Sequence, residues 1–271
     1  MGNMIQLQNM GFLFEKQYSI QENLKARWNV YNFCHPKTDI YQRGLEALEI
    51  KGSENILEVG CEKGNLLMEM RKKGHTGRLV GLDIHESIFE EAEKDSVEFV
   101  VASADNLNFP SESFDCVFSF FMLYHMFDIQ KTLEEWERVL KIGGKVLIAT
   151  ESLQNRPKHK ILKHKISKLM DINCPPRFSH TFNLENGKEQ LTKVFDKIEV
   201  FIFDSVIHLK NSKPYIDAFD SIRNVFIPFP SNIQWKESME FVRQEIEKEI
   251  KNKGYFTDYC RRGFFVCTKD F

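Results

Sequence analysis

The residues best equipped for chemistry begin in the stretch Ile56 to Leu67, Ile-Leu-Glu-Val-Gly-Cys-Glu-Lys-Gly-Asn-Leu-Leu. Ile56, Leu57 and Val59 suit a strand covered on both faces. Gly60 and Gly64 then allow a sharp turn with no Cβ between the backbone and a ligand. The first N–H groups of a helix starting behind the turn would offer donors and a partial positive charge to an anionic group. The pattern is that of a nucleotide-type cofactor site. A dinucleotide fingerprint beginning at Gly60 would need glycines at two positions that hold Glu62 and Asn65, and an acid at 62 would repel pyrophosphate. No Gly-Lys-Ser/Thr follows at the spacing of a Walker loop. Glu58, just before the turn, suits a ligand that carries an amino group.

S-adenosylmethionine has an amino group, together with a carboxylate and a sulfonium. A second acid fits the same ligand: Arg78-Leu79-Val80-Gly81-Leu82-Asp83 reads as a strand ending in a carboxylate that can accept both ribose hydroxyl protons. The alternative for Asp83 is a cap for a helix starting near Glu86. A third strand, Val97 to Val101, leads into Ala102-Ser103-Ala104-Asp105-Asn106-Leu107-Asn108-Phe109-Pro110. A fourth, Phe114 to Phe120, leads into Met122-Leu123-Tyr124-His125-Met126-Phe127-Asp128.

Glu58-Val59-Gly60-Cys61-Glu62-Lys63-Gly64 resembles motif I of the class I S-adenosylmethionine-dependent methyltransferases, acid-x-Gly-x-Gly-x-Gly, with Glu62 replacing the middle glycine. Asp83 resembles the acid of motif II. The segment after the third strand is similar to the one that holds adenine, with Ser103 where the family usually has Asp and the Ala104 N–H facing the ring. Met122 to Asp128 resembles the family's Leu-Tyr/His-His-x-x-Asp loop, and Lys141-Ile142-Gly143-Gly144 its Lys-Pro-Gly-Gly turn. The resemblance runs in unbroken order over roughly residues 55 to 151. It implies S-adenosylmethionine as cofactor, no metal, and contacts from Glu58, Gly60, Cys61, Gly64, Asp83, Ile84, Ser103 and Ala104. Ser119 and Phe120, at the end of the fourth strand, are expected beside the reactive methyl. By the same analogy the N-terminal helices form a lid from which Arg27 meets the cofactor carboxylate; the alternative is a solvated helix arginine.

These residues need an α/β scaffold to position them. The resemblance implies a Rossmann-like, seven-stranded, mostly parallel sheet with helices on both faces. The expected organisation is a helical lid over 1–50, a core over 51–204 and 259–271, and a helical insertion over 205–258 above the acceptor site. Ile20, Leu24, Trp28 and Tyr31 give the first helix its spacing, and Pro36 ends it. A second helix from about Thr38 to Leu48 would be capped by Thr38 or Asp39. The fifth strand is expected at Lys145 to Thr150, the sixth at Lys197 to Asp204 and the seventh at Gly263 to Thr268. Helices are expected at Lys131 to Leu140, near Tyr215 to Val225 and at Trp235 to Lys251.

With 271 residues, 42% of them hydrophobic, the chain has ample length for a core. A net charge of −2 gives no general attraction to nucleic acid or an anionic membrane. The basic run Arg156, Lys158, Lys160, Lys163, Lys165 and Lys168 reads as a solvated helix face rather than an RNA surface, with Ile161, Leu162, Ile166 and Leu169 available for burial. The high phenylalanine content reads as aromatic packing, or as an apolar acceptor cavity. Six scattered cysteines signal neither a disulfide framework nor a zinc ribbon and fit a reducing cytoplasm. The N-terminus lacks a secretory pattern, and the apolar run Cys116 to Phe127 is too short to span a bilayer.

On the acceptor side, Asp128, His125 and Tyr124 follow the fourth strand, at the carboxyl edge where open α/β sheets place ligands. A carboxylate or imidazole there could take the proton of an amine acceptor. Asp128 is equally suited to cap the next helix, and His125 and Tyr124 to pack. The layout, with Thr38 before the lid helix and Asp128 after Tyr124-His125, is similar to the peptide α-amine N-methyltransferases of plantazolicin-type azole peptide pathways. That implies methylation of the N-terminal amine of a heterocyclized peptide, with Thr38 and Asp128 as acceptor contacts. Small-molecule O- or C-methylation is the alternative. RNA methylation and cofactor binding without catalysis, should Glu62 block it, are the more remote ones.

Overall fold

The structure is a computed structural model in which residues 21–86, 96–226 and 228–270 are described. Ile20, the rest of the lid before it and the helix expected beyond Glu86 lie outside the described residues. The chain divides into two compact units.

The larger unit comprises Thr38–Leu153, Phe178–Phe203 and Arg261–Phe271. Its strands are β2 (Ile56–Val59), β3 (Leu79–Asp83), β4 (Glu98–Val101), β5 (Phe114–Phe120), β6 (Leu140–Glu151), and the inner parts of β7 (Lys197–Leu209) and β8 (Phe256–Thr268). They are ordered β7-β8-β6-β5-β2-β3-β4. Strands β6, β5, β2, β3 and β4 are parallel, and β8 runs antiparallel to β6. The four residues of β2 are all buried, as expected for a central parallel strand.

Alternation along the strands sends two sets of side chains to opposite faces. Helix α3 (Asn65–Lys72) follows the turn after β2. Leu57, Val59, Val80, Leu82, Val117, Val146 and Ile148 join one core with helix α4 (Ile129–Val139). The period of α4 buries Thr132, Leu133, Trp136 and Val139 as one stripe. Asp128 starts this helix by accepting the Lys131 N–H at 3.0 Å. On the opposite face, α2 (Ile40–Leu48) buries Ile40, Gly44 and Leu48, with Gly44 against Leu147 and Phe120. Asp39 caps α2 through the N–H groups of Tyr41 and Gln42, so the capping role that Thr38 could have taken belongs to its neighbour.

The smaller unit, Met1–Lys37, Gln154–Arg177 and Asp204–Cys260, contains α1 (Gln21–Asn29), β1 (Cys34–His35), α5 (Pro157–Leu169), α7 (Lys213–Asp220) and α8 (Asn232–Lys253). A short α6 (Gly187–Leu191) belongs to the larger unit. The hinge of the smaller unit's packing is Asp258. Its carboxylate accepts the N–H groups of Lys158 and His159 at the start of α5 and the Tyr215 hydroxyl at 2.6 Å. His159 stacks on Phe219.

Several sequence expectations are corrected here. Helix α1, expected to form part of a lid, stops before Pro36: a 3-10 turn over Val30–Phe33 passes into β1, an eighth strand among the described residues, which pairs with the outer part of β7. The expected boundaries also move, because α2 packs on the sheet and joins the core, whereas segment 154–177 joins the smaller unit through Asp258 and through α8. The insertion is not purely helical, since β7 continues to Leu209 and β8 begins at Phe256. Lys141 to Gly144 is an irregularity within β6, not a turn before it: Leu140 still pairs with Phe114, and the register shifts before Lys145 meets Cys116. On α5, Ile161 and Leu169 are exposed while Lys163 is buried and donates to the Pro175 carbonyl at 2.7 Å.

Candidate active site

The turn after β2 is stitched to the next strand by its own backbone. The N–H groups of Gly60 and Cys61 both donate to the Leu82 carbonyl, at 2.8 and 3.1 Å. Gly60 and Gly64 take φ of 75° and 67°, the left-handed region that favours glycine. Side chains also close around them: a Cβ on Gly60 would lie 2.6 Å from Met122, and one on Gly64 2.5 Å from Phe99. Between them Glu62, at φ 52°, holds the same hand without being glycine. That conformation costs roughly 1 kcal/mol, offset by a charge-assisted bond from the Glu62 N–H to Asp83 Oδ2 at 3.1 Å.

The acids form a connected group. Glu58 is 6% exposed and its Oε2 has no hydrogen-bond partner among the described residues. Burial first, then the charges of Glu62 and Asp83, push its carboxyl well above the usual range. Asp83 is also buried, which raises its carboxyl, while the N–H groups of His85 and Glu62 oppose that rise. Burial, Glu58 and Asp83 push up the Cys61 thiol, which argues against a nucleophilic role. Tyr41 of α2 stands over the same acids with its ring 4.5 Å from Phe120. Although 37% of Tyr41 is exposed, burial and the charges of Glu62 and Glu58 keep its phenol protonated.

Along the edge toward β4, Ser103 donates to Asp105 Oδ1 at 2.5 Å. That bond, with Lys131 at 3.5 Å, holds Asp105 below its ordinary range. With its proton committed, the Ser103 oxygen is left as an acceptor, which is what an adenine amine requires. Ala104 is buried and its carbonyl receives the Trp136 indole N–H at 3.0 Å. Ile84 and Val101, just beyond and at the carboxyl ends of adjacent strands, are 64% and 50% exposed, an apolar surface open to a flat ligand.

Across β5, Ser119 is buried and donates to the Val59 carbonyl at 2.8 Å, so its hydroxyl ties two strands together. Tyr124 and His125 pack edge to face at 4.5 Å, and His125 meets Phe178 at 5.1 Å. Thr181 donates to the Tyr124 carbonyl. Asp128 is exposed at the head of α4. Arg27 belongs to the smaller unit, where its Nε donates to the Asn23 carbonyl at 3.4 Å. Tyr41, Phe99, Met122 and Asp105 escaped the sequence reading as site residues. Only Asp105, two positions after Ser103 in a polar loop, carried a local signal.

S-adenosylmethionine fits these residues. Its ammonium would satisfy the orphaned Glu58 oxygen, and the Asp83 oxygens, each already accepting one N–H, keep lone pairs for ribose hydroxyls. An open, mostly parallel sheet with a glycine turn after one strand and an acid closing the next defines the Rossmann-like class I methyltransferase fold.

Residues 57–148 match the family described as "Methyltransferase domain". Over that segment the chain is thus similar to the S-adenosylmethionine-dependent methyltransferases. It is 32% identical over 117 residues to the ubiquinone/menaquinone biosynthesis C-methyltransferase UbiE of Hahella chejuensis, covering 40% of this chain and 47% of that one. The chain spans less than two thirds of the length of the curated relatives it matches, 65% in one case and 45% in another. Its fold resembles that of an Anabaena variabilis protein proposed to be a methyltransferase from an antibiotic biosynthesis pathway, with a TM-score of 0.62, 15% identity, and coverage of 84% of this chain and 96% of that one. It also resembles phosphoethanolamine N-methyltransferase 2 of Haemonchus contortus, solved with S-adenosylhomocysteine, with a TM-score of 0.59, 18% identity, and coverage of 96% and 59%.

Proposed function

We propose that the protein transfers a methyl group from S-adenosylmethionine to a neutral amine at the carboxyl edge of the sheet, the N-terminal amine of a heterocyclized peptide being the substrate class we favour. The observation that carries the cofactor half is the buried, unpartnered Glu58 oxygen beside Asp83. When bound, the cofactor supplies a methyl already activated on a sulfonium, so the chain's task is placement, exclusion of water and removal of one proton. Glu58 and Asp83 hold the two polar ends, Ser103 accepts from the adenine amine, and Ile84 covers the ring. Asp128, with Oδ1 on the helix N–H, has its second oxygen for the acceptor's proton, and Thr38 and His125 orient the amine. The ion pairs of Lys158 with Glu249 and Lys165 with Glu245 neutralise part of the basic face of α5, which weighs against an RNA substrate. Among the described residues no helix is long and apolar enough to cross a membrane.

The second reading is C-methylation of a small aromatic ring, favoured by the similarity to the UbiE protein. Incubation with S-adenosylmethionine and a panel of peptide amines, small amines and demethylated quinone precursors, followed by mass spectrometry, separates the two. Methyl groups on a peptide amine support the first. Methyl groups on a ring carbon alone would replace it with the second.

A further inference from the structure

The glycine turn carries a carboxylate that the turn itself does not require. A glycine at 62 would adopt φ 52° without strain, yet the residue is glutamate. Its backbone is fixed by the bond to Asp83 and its side chain is exposed on the turn between Gly60 and Gly64, and its charge is among those that raise the Glu58 carboxyl and the Tyr41 phenol. The Glu58 oxygen, buried and unpartnered, marks where the amino end of the ligand is received. Asp83 would hold the ribose end of such a ligand, and the backbone of Glu62 is tied to that acid. In S-adenosylmethionine the atom between the amino-acid end and the ribose is the sulfur.

We propose that Glu62 is a charge-selecting residue that makes the site prefer the sulfonium cofactor to its uncharged thioether product, so that methyl transfer itself weakens the site's hold on what remains. The inference rests on the cofactor reading above. The ammonium, carboxylate and adenosine are common to both molecules, so the attraction of Glu62 for them cancels in the ratio of the two affinities. The sulfonium charge does not cancel. At an assumed separation of about 8 Å and an effective dielectric of about 40 for a partly solvated site, that charge would change the ratio by about fivefold.

Calorimetric titration of the wild type, Glu62→Gln and Glu62→Asp with S-adenosylmethionine and S-adenosylhomocysteine, at low and high salt, tests this. Glu62→Gln leaves a side chain of the same size at the same φ, so backbone strain is unchanged and its melting temperature reports the fold. We expect the affinity ratio to fall about fivefold in Glu62→Gln, to be largely kept in Glu62→Asp, and to narrow with salt in the wild type. A ratio equal in wild type and Glu62→Gln, or insensitive to salt in the wild type, overturns the role of Glu62 while leaving the cofactor site standing. A wild type that binds neither molecule overturns the cofactor reading and this inference with it.

Discussion

Removing the charge of Glu58 while keeping its shape gives a sharp test of how the site receives a cation. Among the described residues Glu58 lacks a partner for one oxygen, and its carboxyl is raised well above the usual range by burial and by Glu62 and Asp83. The raised folded-state value sets the sign of the pH effect: stability associated with Glu58 is fully present below the unfolded carboxylate range and is lost as pH rises from there through the folded value. The melting temperature of the free wild type should therefore fall more steeply with pH than that of Glu58→Gln, which cannot ionise. An arriving ammonium reverses the balance by favouring the carboxylate, so over the raised range in which Glu58 titrates in the free protein binding should expel a proton and tighten as pH rises. A hydrogen bond to a charged partner contributes about 1.5–3 kcal/mol, and burial of this pair argues for the middle of that range or above. Glu58→Gln should thus weaken S-adenosylmethionine binding by about 2 kcal/mol, near thirtyfold. Calorimetry in phosphate and in Tris reads affinity and proton release together. Equal affinities, with no buffer dependence in the wild type, would refute the assignment of Glu58 to the amino group.

Gly64→Ala should destabilise the fold by about 2–5 kcal/mol, combining left-handed strain with overpacking, because its Cβ would sit 2.5 Å from the Phe99 ring. Denaturant melts check this, and a loss under 1 kcal/mol would mean that Phe99 moves aside freely. Asp128→Asn keeps the oxygen that caps α4 and should fold normally, with methyl transfer to an amine falling about 10² or more if the carboxylate takes the proton. Turnover with the folded variant, beside its cofactor affinity, decides it. Full activity would reduce Asp128 to a helix cap.

The parts of this protein legible in its sequence are those in which one residue type answers one local need. Gly60 and Gly64 sit where the backbone turns left-handed, Asp83 closes a buried strand, and Phe114 to Phe120 reads as a strand because both faces are covered. Asp128 was legible in the same way, since a cap needs only the acid and the apolar period that follows it. The residues that escaped are those whose role depends on partners distant in sequence. Tyr41 lies on a helix with nothing local to distinguish it, and only folding brings it against Phe120 and within the influence of the Glu62 and Glu58 charges. Phe99 and Met122 resemble core residues until the turn packs against them. Lys163 reads as part of a solvated basic face, but Pro175 and Pro176 supply carbonyls that let its ammonium be buried.

Glu62 joins these two kinds of residue. As a departure from a glycine pattern it is conspicuous, and the sequence alone allows two opposite meanings: a block on catalysis, or a partner for the cofactor. The backbone favours the second. A left-handed residue whose N–H is held by Asp83 leaves the turn intact, so the glutamate does not spoil the cradle that the neighbouring glycines form. What remains is its charge, added beside two buried acids, of which Glu58 is already raised by burial and by Asp83. Such clustering costs stability in the free protein, because each added negative charge makes its neighbours harder to ionise. The same cost becomes affinity for any ligand that brings positive charge to relieve it, and it offers little to one that has lost that charge. A site arranged in this way discriminates by charge before it discriminates by shape.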